Sequence, residues 1–220
     1  MGKSAIIVGS SGLVGSHLLK NILENYNFSS LKIFVRRPLG IVHPKLTEII
    51  TDFGNLGQIK EEFNAEVIFS CLGSTRKKTP NLEDYYKIDY FYPKWVAEIA
   101  KEFGLKQFHL VSSLGADEKS RNYYLKMKGK TEEAIRNQNI ETTCIYRPAL
   151  ITGKRNEKRT GESISKFLFN VLNPLMVGGL KKYKSISAEK IAKAMINQSL
   201  KNEKGTHIFE SNQIKALAVS

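Results

Sequence analysis

The stretch AIIVGSSGLVG, residues 5–15, constrains the fold more than any other part of the sequence. A short apolar run ends abruptly in Gly9. Two more glycines follow at intervals of three, Gly12 and Gly15, and the chain then turns amphipathic. A strand that stops at a glycine turn and opens straight into a helix is the context of a dinucleotide fingerprint. Gly9 permits the tight turn. Gly12 lets the backbone approach a pyrophosphate, and Gly15 lets the helix pack close to the sheet. The helix N-terminus then offers free N–H groups and a partial positive charge to phosphates. The spelling is GxxGxxG rather than GxGxxG, and the hydroxyls of Ser10 and Ser11 add donors to the loop.

The remaining chain keeps the same rhythm. Strands are expected at Lys3–Val8, Leu31–Val35, Leu46–Ile50, Glu66–Cys71, Gln107–Ser112 and Glu141–Tyr146, with a last one at Thr206–Glu210. Helical periodicity runs through Gly12–Glu24, Leu56–Phe63, Leu82–Phe103, Tyr123–Asn137, Ile164–Leu172 and Ala188–Leu200. Pro93 predicts a kink or break in the third of these, and Gly104 closes it. Strands buried on both faces and alternating with helices predict an α/β doubly wound (Rossmann) parallel sheet, with helices on both faces. The 220 residues are expected to form one domain, 1–220. Within it, a segment over 148–187 reads as a small C-terminal cap on the substrate side. The apolar run at the N-terminus is too short for a signal peptide. The stretch Ile164–Leu180 is interrupted by Lys166, Asn170, Asn173 and Pro174, so it is not read as a transmembrane segment. A cytoplasmic chain is the expectation. Cys71 and Cys144 each sit in an apolar run and read as two buried strand thiols, which excludes a disulfide scaffold.

Charge adds two inferences. The formal net charge is +13, with +3 in residues 1–110 and +10 in residues 111–220. The basic residues are scattered, so no specific nucleic-acid binding is expected. At the end of the second strand, Arg36 and Arg37 stand where an acidic residue would hold the ribose 2′-hydroxyl of NAD. A guanidinium suits a 2′-phosphate instead, so NADP(H) is favoured over NAD(H).

Chemistry is suggested by Tyr124 and Lys128, four apart on one predicted helix and therefore on one face. An ammonium beside a phenol favours proton exchange with a carbonyl or alcohol. Ser112 and Ser113 lie at the carboxyl end of the fifth strand, where sheets of this kind bind ligands. The four histidines lack metal-ligand spacing, so no metal is expected.

With VGSSGLVG, FVRRP, SCLGSTR, HLVSSLGAD, YLKMKGKTE and YRPALITG in place, the chain resembles the short-chain dehydrogenase/reductase superfamily, of the extended or atypical kind. More narrowly, it resembles the Tat-interacting-protein oxidoreductase family, over roughly residues 3–210. The resemblance implies that Gly9, Ser10, Ser11, Gly12, Leu13, Val14 and Gly15 bind the pyrophosphate and Arg36 the 2′-phosphate, beside Arg37. It implies Asp52 and Phe53 at the adenine, and Leu72 and Gly73 at the adenosine ribose and pyrophosphate. Ser113 would be the catalytic serine, with Ser112 second, and Tyr124 and Lys128 the catalytic pair. Lys128 would also hold the nicotinamide ribose, and Arg147 and Pro148 would stand at the nicotinamide end. Asp89 departs from the asparagine by which many members order a proton relay. The expected activity is NADP(H)-dependent hydride transfer to or from a carbonyl or alcohol. The rival is an NADPH-binding sensor or interaction protein with little turnover, since related members are known as protein partners. Tyr90, Phe91 and Trp95 read either as packing residues or as a homodimer face.

Overall fold

The strands form because their side chains are apolar on both sides of the backbone. In β1 (Lys3–Val8), Ala5 and Ile7 enter one hydrophobic cluster while Ile6 and Val8 enter another across the sheet. The same division recurs in β2 (Phe28–Val35), where Leu31, Ile33 and Val35 face one side and Phe34 the other. Two-sided burial of this kind requires helices on both faces. The computed structural model describes residues 2–54, 56–76, 78–153, 183–201 and 203–219.

Seven parallel strands form the main sheet, in the order β3-β2-β1-β4-β5-β6-β9. The others are β3 (Leu46–Ile50), β4 (Val67–Ser70), β5 (Gln107–Val111), β6 (Thr142–Arg147) and β9 (Gly205–Glu210). A separate parallel pair joins β7 (Ile151–Thr152) to β8 (Ile186–Ser187). On one face lie α1 (Leu13–Glu24), α6 (Ala188–Ser199) and α7 (Ser211–Leu217), whose buried residues share a cluster. On the other lie α2 (Leu56–Ile59), α4 (Tyr92–Glu102) and α5 (Tyr123–Arg136). This is the doubly wound Rossmann sheet that the strand–helix rhythm predicts. The order reverses between β1 and β4, which opens a crevice at their carboxyl ends.

Two local expectations are corrected. β2 begins at Phe28 rather than Leu31, because Phe28 is fully buried and carries the strand through the polar Ser29 and Ser30. The helix predicted over Leu82–Phe103 does not break at Pro93. It runs from α3 (Leu82–Tyr86) through a π-helical turn (Lys87–Phe91) into α4, with Pro93 in the first turn of α4. The backbone N–H of Tyr92 reaches back to the Lys87 carbonyl, so the wide turn absorbs the proline. In α-helical register Pro93 would donate to the Asp89 carbonyl, but it has no N–H. That carbonyl accepts from the Thr131 hydroxyl of α5 at 2.7 Å. The proline therefore reshapes the helix at Asp89 rather than ending it. The helix expected near Ile164–Leu172, and most of the cap segment expected over 148–187, lie outside the described residues.

Candidate cofactor cleft and active site

A cleft of about 400 Å³ opens at the carboxyl ends of β1, β4 and β5. Its first wall is the glycine loop. Gly9 has φ +88°, a left-handed conformation that turns the chain directly off β1. A Cβ on Gly15 would lie 2.1 Å from the Gly9 carbonyl oxygen, so only glycine lets α1 begin this close to the strand. Gly12 caps α1 without a side-chain hydrogen bond, and the first turn holds no acidic residue. The N–H groups that begin this helix thus meet the cleft at Leu13 and Val14 uncapped by any side chain, while the Gly12 N–H closes the turn onto the Gly9 carbonyl at 3.0 Å. Beneath the loop, the Ser10 hydroxyl is buried with no protein partner among the described residues. A built turn, an uncapped helix end and an orphaned hydroxyl fit a pyrophosphate.

The second wall follows β4. Leu72, Gly73 and Ser74 line it, and so does Cys71. Cys71 was expected as a buried strand thiol. It lies one residue beyond β4 and is partly exposed at the cleft, whereas Cys144 is fully buried in β6. Desolvation by the surrounding chain pushes the Cys71 thiol up to about 12, with the Lys128 ammonium pulling the other way. The thiol is therefore not a ready nucleophile at neutral pH.

The third wall brings the predicted chemical residues together. Tyr124 and Lys128 of α5 line the cleft with Val111 and Ser112 after β5. Lys128 is 4% exposed and faces Asp89 Oδ1 at 3.0 Å. The other Asp89 oxygen accepts the Ser74 N–H at 2.8 Å. Burial pulls the Lys128 ammonium down, but the charge and hydrogen bond of Asp89 outweigh it, so its pKa stands above the ordinary lysine value. Lys128 is thus held protonated, while the phenol of Tyr124 reaches the cleft.

Of the two serines, Ser112 lines the cleft and Ser113 does not. The Ser113 hydroxyl turns to the Leu114 carbonyl at 3.4 Å. The Ser112 hydroxyl donates to Glu132, which in turn accepts from Arg147 Nε at 3.0 and 3.1 Å. Glu132 escaped the sequence reading. Its signal was present: Tyr124, Lys128 and Glu132 continue one helix face at intervals of four. Arg147 sits on this carboxylate and lines a second, smaller hollow rather than the cleft.

The remaining expected cofactor residues lie beyond the lining. Arg36 and Arg37 are exposed just past the end of β2, and neither makes an ion pair or hydrogen bond with a described residue. Asp52 accepts the Gly54 N–H at 2.7 Å in the turn after β3. Phe53 adopts φ +65°, uncommon for a side chain of its size, and packs on Phe34 and Tyr92.

An open-sheet cleft built on a glycine turn and a helix N-terminus defines the nucleotide-binding class of Rossmann proteins. The chain belongs to the NAD(P)H-binding family, which matches residues 9–202. It is 35% identical over 198 residues to protein FMP52, mitochondrial, of Debaryomyces hansenii, covering 88% of this chain and 86% of that one. It is 32% identical over 199 residues to protein HTATIP2 of Rattus norvegicus, covering 89% and 80%. Among solved structures, it superposes with TM-score 0.70 on MoeE5 in complex with UDP-glucuronic acid and NAD, at 18% identity, covering 94% of this chain and 75% of that one. The enzyme WbmH of Bordetella bronchiseptica in complex with NAD+ gives 0.70 at 17% identity, covering 100% and 80%. The family resemblance read from the motifs is borne out. The cytoplasmic expectation is overturned, because FMP52 relatives at this similarity are mitochondrial proteins. No helix among the described residues is long and apolar enough to cross a membrane.

Proposed function

We propose that the chain is an NADP(H)-dependent oxidoreductase acting on a carbonyl or alcohol. The observation that carries this reading is that Tyr124, Lys128 and Ser112 line the same cleft as the uncapped start of α1. The cofactor, when bound, supplies or accepts hydride. The glycine loop would hold its pyrophosphate and Lys128 its nicotinamide ribose. Tyr124 passes a proton to or from the substrate oxygen. Lys128 stays charged behind it. Ser112 has committed its proton to Glu132, so its oxygen presents lone pairs and would accept from a substrate hydroxyl other than the reacting one. Arg147 fixes Glu132 and thereby the rotamer of Ser112.

The preference for NADP(H) rests on Arg36, an exposed guanidinium with no protein partner among the described residues, one residue beyond β2. NADPH should bind at least about tenfold tighter than NADH, the worth of one charge-assisted contact. Calorimetric titration with both cofactors checks this, and Arg36→Asp should narrow or reverse the ratio. Equal affinities in the wild type would remove the NADP assignment. Aldehyde- or ketone-dependent oxidation of NADPH tests the activity itself. A protein that binds NADPH and oxidises it with no carbonyl compound would fit the sensor reading instead. The names of the FMP52 relatives direct a search for the physiological substrate to mitochondria.

A further inference from the structure

The buried acid behind Lys128 has a function the activity above does not require. Asp89 is 0% exposed, and only its pairing makes that burial tolerable. Three features put its carboxylate against the lysine. The π-helical turn carries it inward, the Thr131 hydroxyl fixes its carbonyl, and the Ser74 N–H fixes one carboxylate oxygen. Gly73 leaves the room: a Cβ there would lie 3.2 Å from Lys128 Nζ and 3.5 Å from Asp89 Oδ1. The chain thus spends a helix distortion, a glycine and two hydrogen bonds on cancelling one positive charge at the cleft wall.

That charge faces the part of the cleft beside Tyr124. The oxidised and reduced forms of a nicotinamide cofactor share every phosphate and ribose contact. They differ by one unit of positive charge on the ring. A bare Lys128 would repel the oxidised form, and a neutralised one would not. We propose that Asp89, through its ion pair with Lys128, sets how the cleft discriminates oxidised from reduced NADP(H). This rests on the cofactor reading above and deepens it. Because the affinity ratio of the two forms fixes the equilibrium between them when bound, Asp89 also biases the bound equilibrium toward the oxidised cofactor, that is, toward carbonyl reduction.

Charge counting at the cleft wall tests this without a substrate. The pair is neutral in the wild type, +1 in Asp89→Asn, −1 in Lys128→Met and neutral again in the double variant. Titration of each protein with NADP+ and with NADPH at low ionic strength gives the ratio of dissociation constants. Contacts common to both forms cancel in that ratio, so a general loosening of the site leaves it unchanged. A unit charge roughly 10 Å away, through an effective dielectric of about 20, is worth about tenfold. The ratio should turn about tenfold against NADP+ in Asp89→Asn and toward NADP+ in Lys128→Met. It should return to the wild-type value in the double variant, even though both affinities fall there. If Asp89→Asn does not fold, Lys128→Met and the double variant still carry the comparison. A ratio that is the same in all proteins, with both cofactors bound, overturns the proposal. If neither cofactor binds the wild type, the cofactor reading itself fails, and this inference with it.

Discussion

Glu132 shows how much one side chain can decide in this cleft. It is 2% exposed and accepts one hydrogen bond from the Ser112 hydroxyl and three from Arg147. A carboxylate in this position only accepts, so the hydroxyl can only point toward it. In Glu132→Gln the amide brings donors of its own, and the direction of the serine hydrogen bond is no longer fixed. We expect turnover to fall by about tenfold while NADPH affinity stays within about twofold, because Glu132 does not line the cleft. Ser112→Ala should behave the same way. Steady-state kinetics beside a cofactor titration checks both, and unchanged turnover in the pair would exclude Ser112 from the reacting centre. The tyrosine and lysine were legible in the sequence because their i, i+4 spacing follows a strand-end serine pair. The choice between Ser112 and Ser113 was not. Adjacent residues leave a strand end in opposite directions, and only the packing of α5 decides which one meets the cleft.

Among the elements, the glycine turn and the π-helical turn contribute most, and they differ in how far the sequence announced them. The turn was readable because strand, glycines and helix follow at fixed intervals. A Cβ at Gly15 has nowhere to go without moving the Gly9 carbonyl. Gly15→Ala should therefore weaken NADPH by at least about tenfold and cost the fold about 1–3 kcal/mol, the usual penalty of overpacking. Calorimetry and chemical denaturation report the two effects separately; unchanged cofactor affinity would mean that the start of α1 does not hold the pyrophosphate. The π-helical turn was not readable. Pro93 signals a disturbance but not its form, because breaking, kinking and widening all satisfy a missing N–H. What chose widening is the Thr131 hydroxyl on a neighbouring helix, which takes the freed Asp89 carbonyl. A contact between residues 42 positions apart leaves no periodic signal.

For the molecule as a whole, the sheet was legible because its inner strands are buried on both faces and alternate with helices, whereas the edge strands β3 and β9 hold no fully buried residue. The compartment was not, since it leaves no mark on packing. The sheet also carries a pH liability. His109 is fully buried in β5, with Tyr146 Oη at 3.0 Å from Nδ1. Burial pushes its pKa down from 6.5 to about 3, with the Lys3 ammonium adding to the fall. The folded form therefore holds His109 neutral while the unfolded chain protonates below about 6.5. Its contribution to stability is fully present above that pH and is lost as pH falls toward about 3. At about 1.4 kcal/mol per pH unit, the window is worth on the order of 4 kcal/mol. Urea denaturation between pH 7 and pH 4 should show a steep loss in the wild type. The slope should be shallower in His109→Gln, which stays neutral throughout; equal slopes would assign the acid sensitivity to the carboxylates.

The proposed reaction moves a hydride between a nicotinamide and a carbonyl carbon in this cleft, with Tyr124 moving the proton. The direct measurement uses NADPH carrying deuterium at the transferred position of C4, incubated with the protein and a panel of aldehydes and ketones. Mass spectrometry then follows the label. We expect deuterium on the carbinol carbon of at least one alcohol product. In Tyr124→Phe, which loses one oxygen and keeps the ring to pack, the rate of label transfer should fall by about 10²–10⁴ with NADPH binding retained. Label transfer at the full wild-type rate in Tyr124→Phe would contradict the catalytic assignment. NADPH that binds the wild type and never gives up its label would contradict the oxidoreductase reading itself.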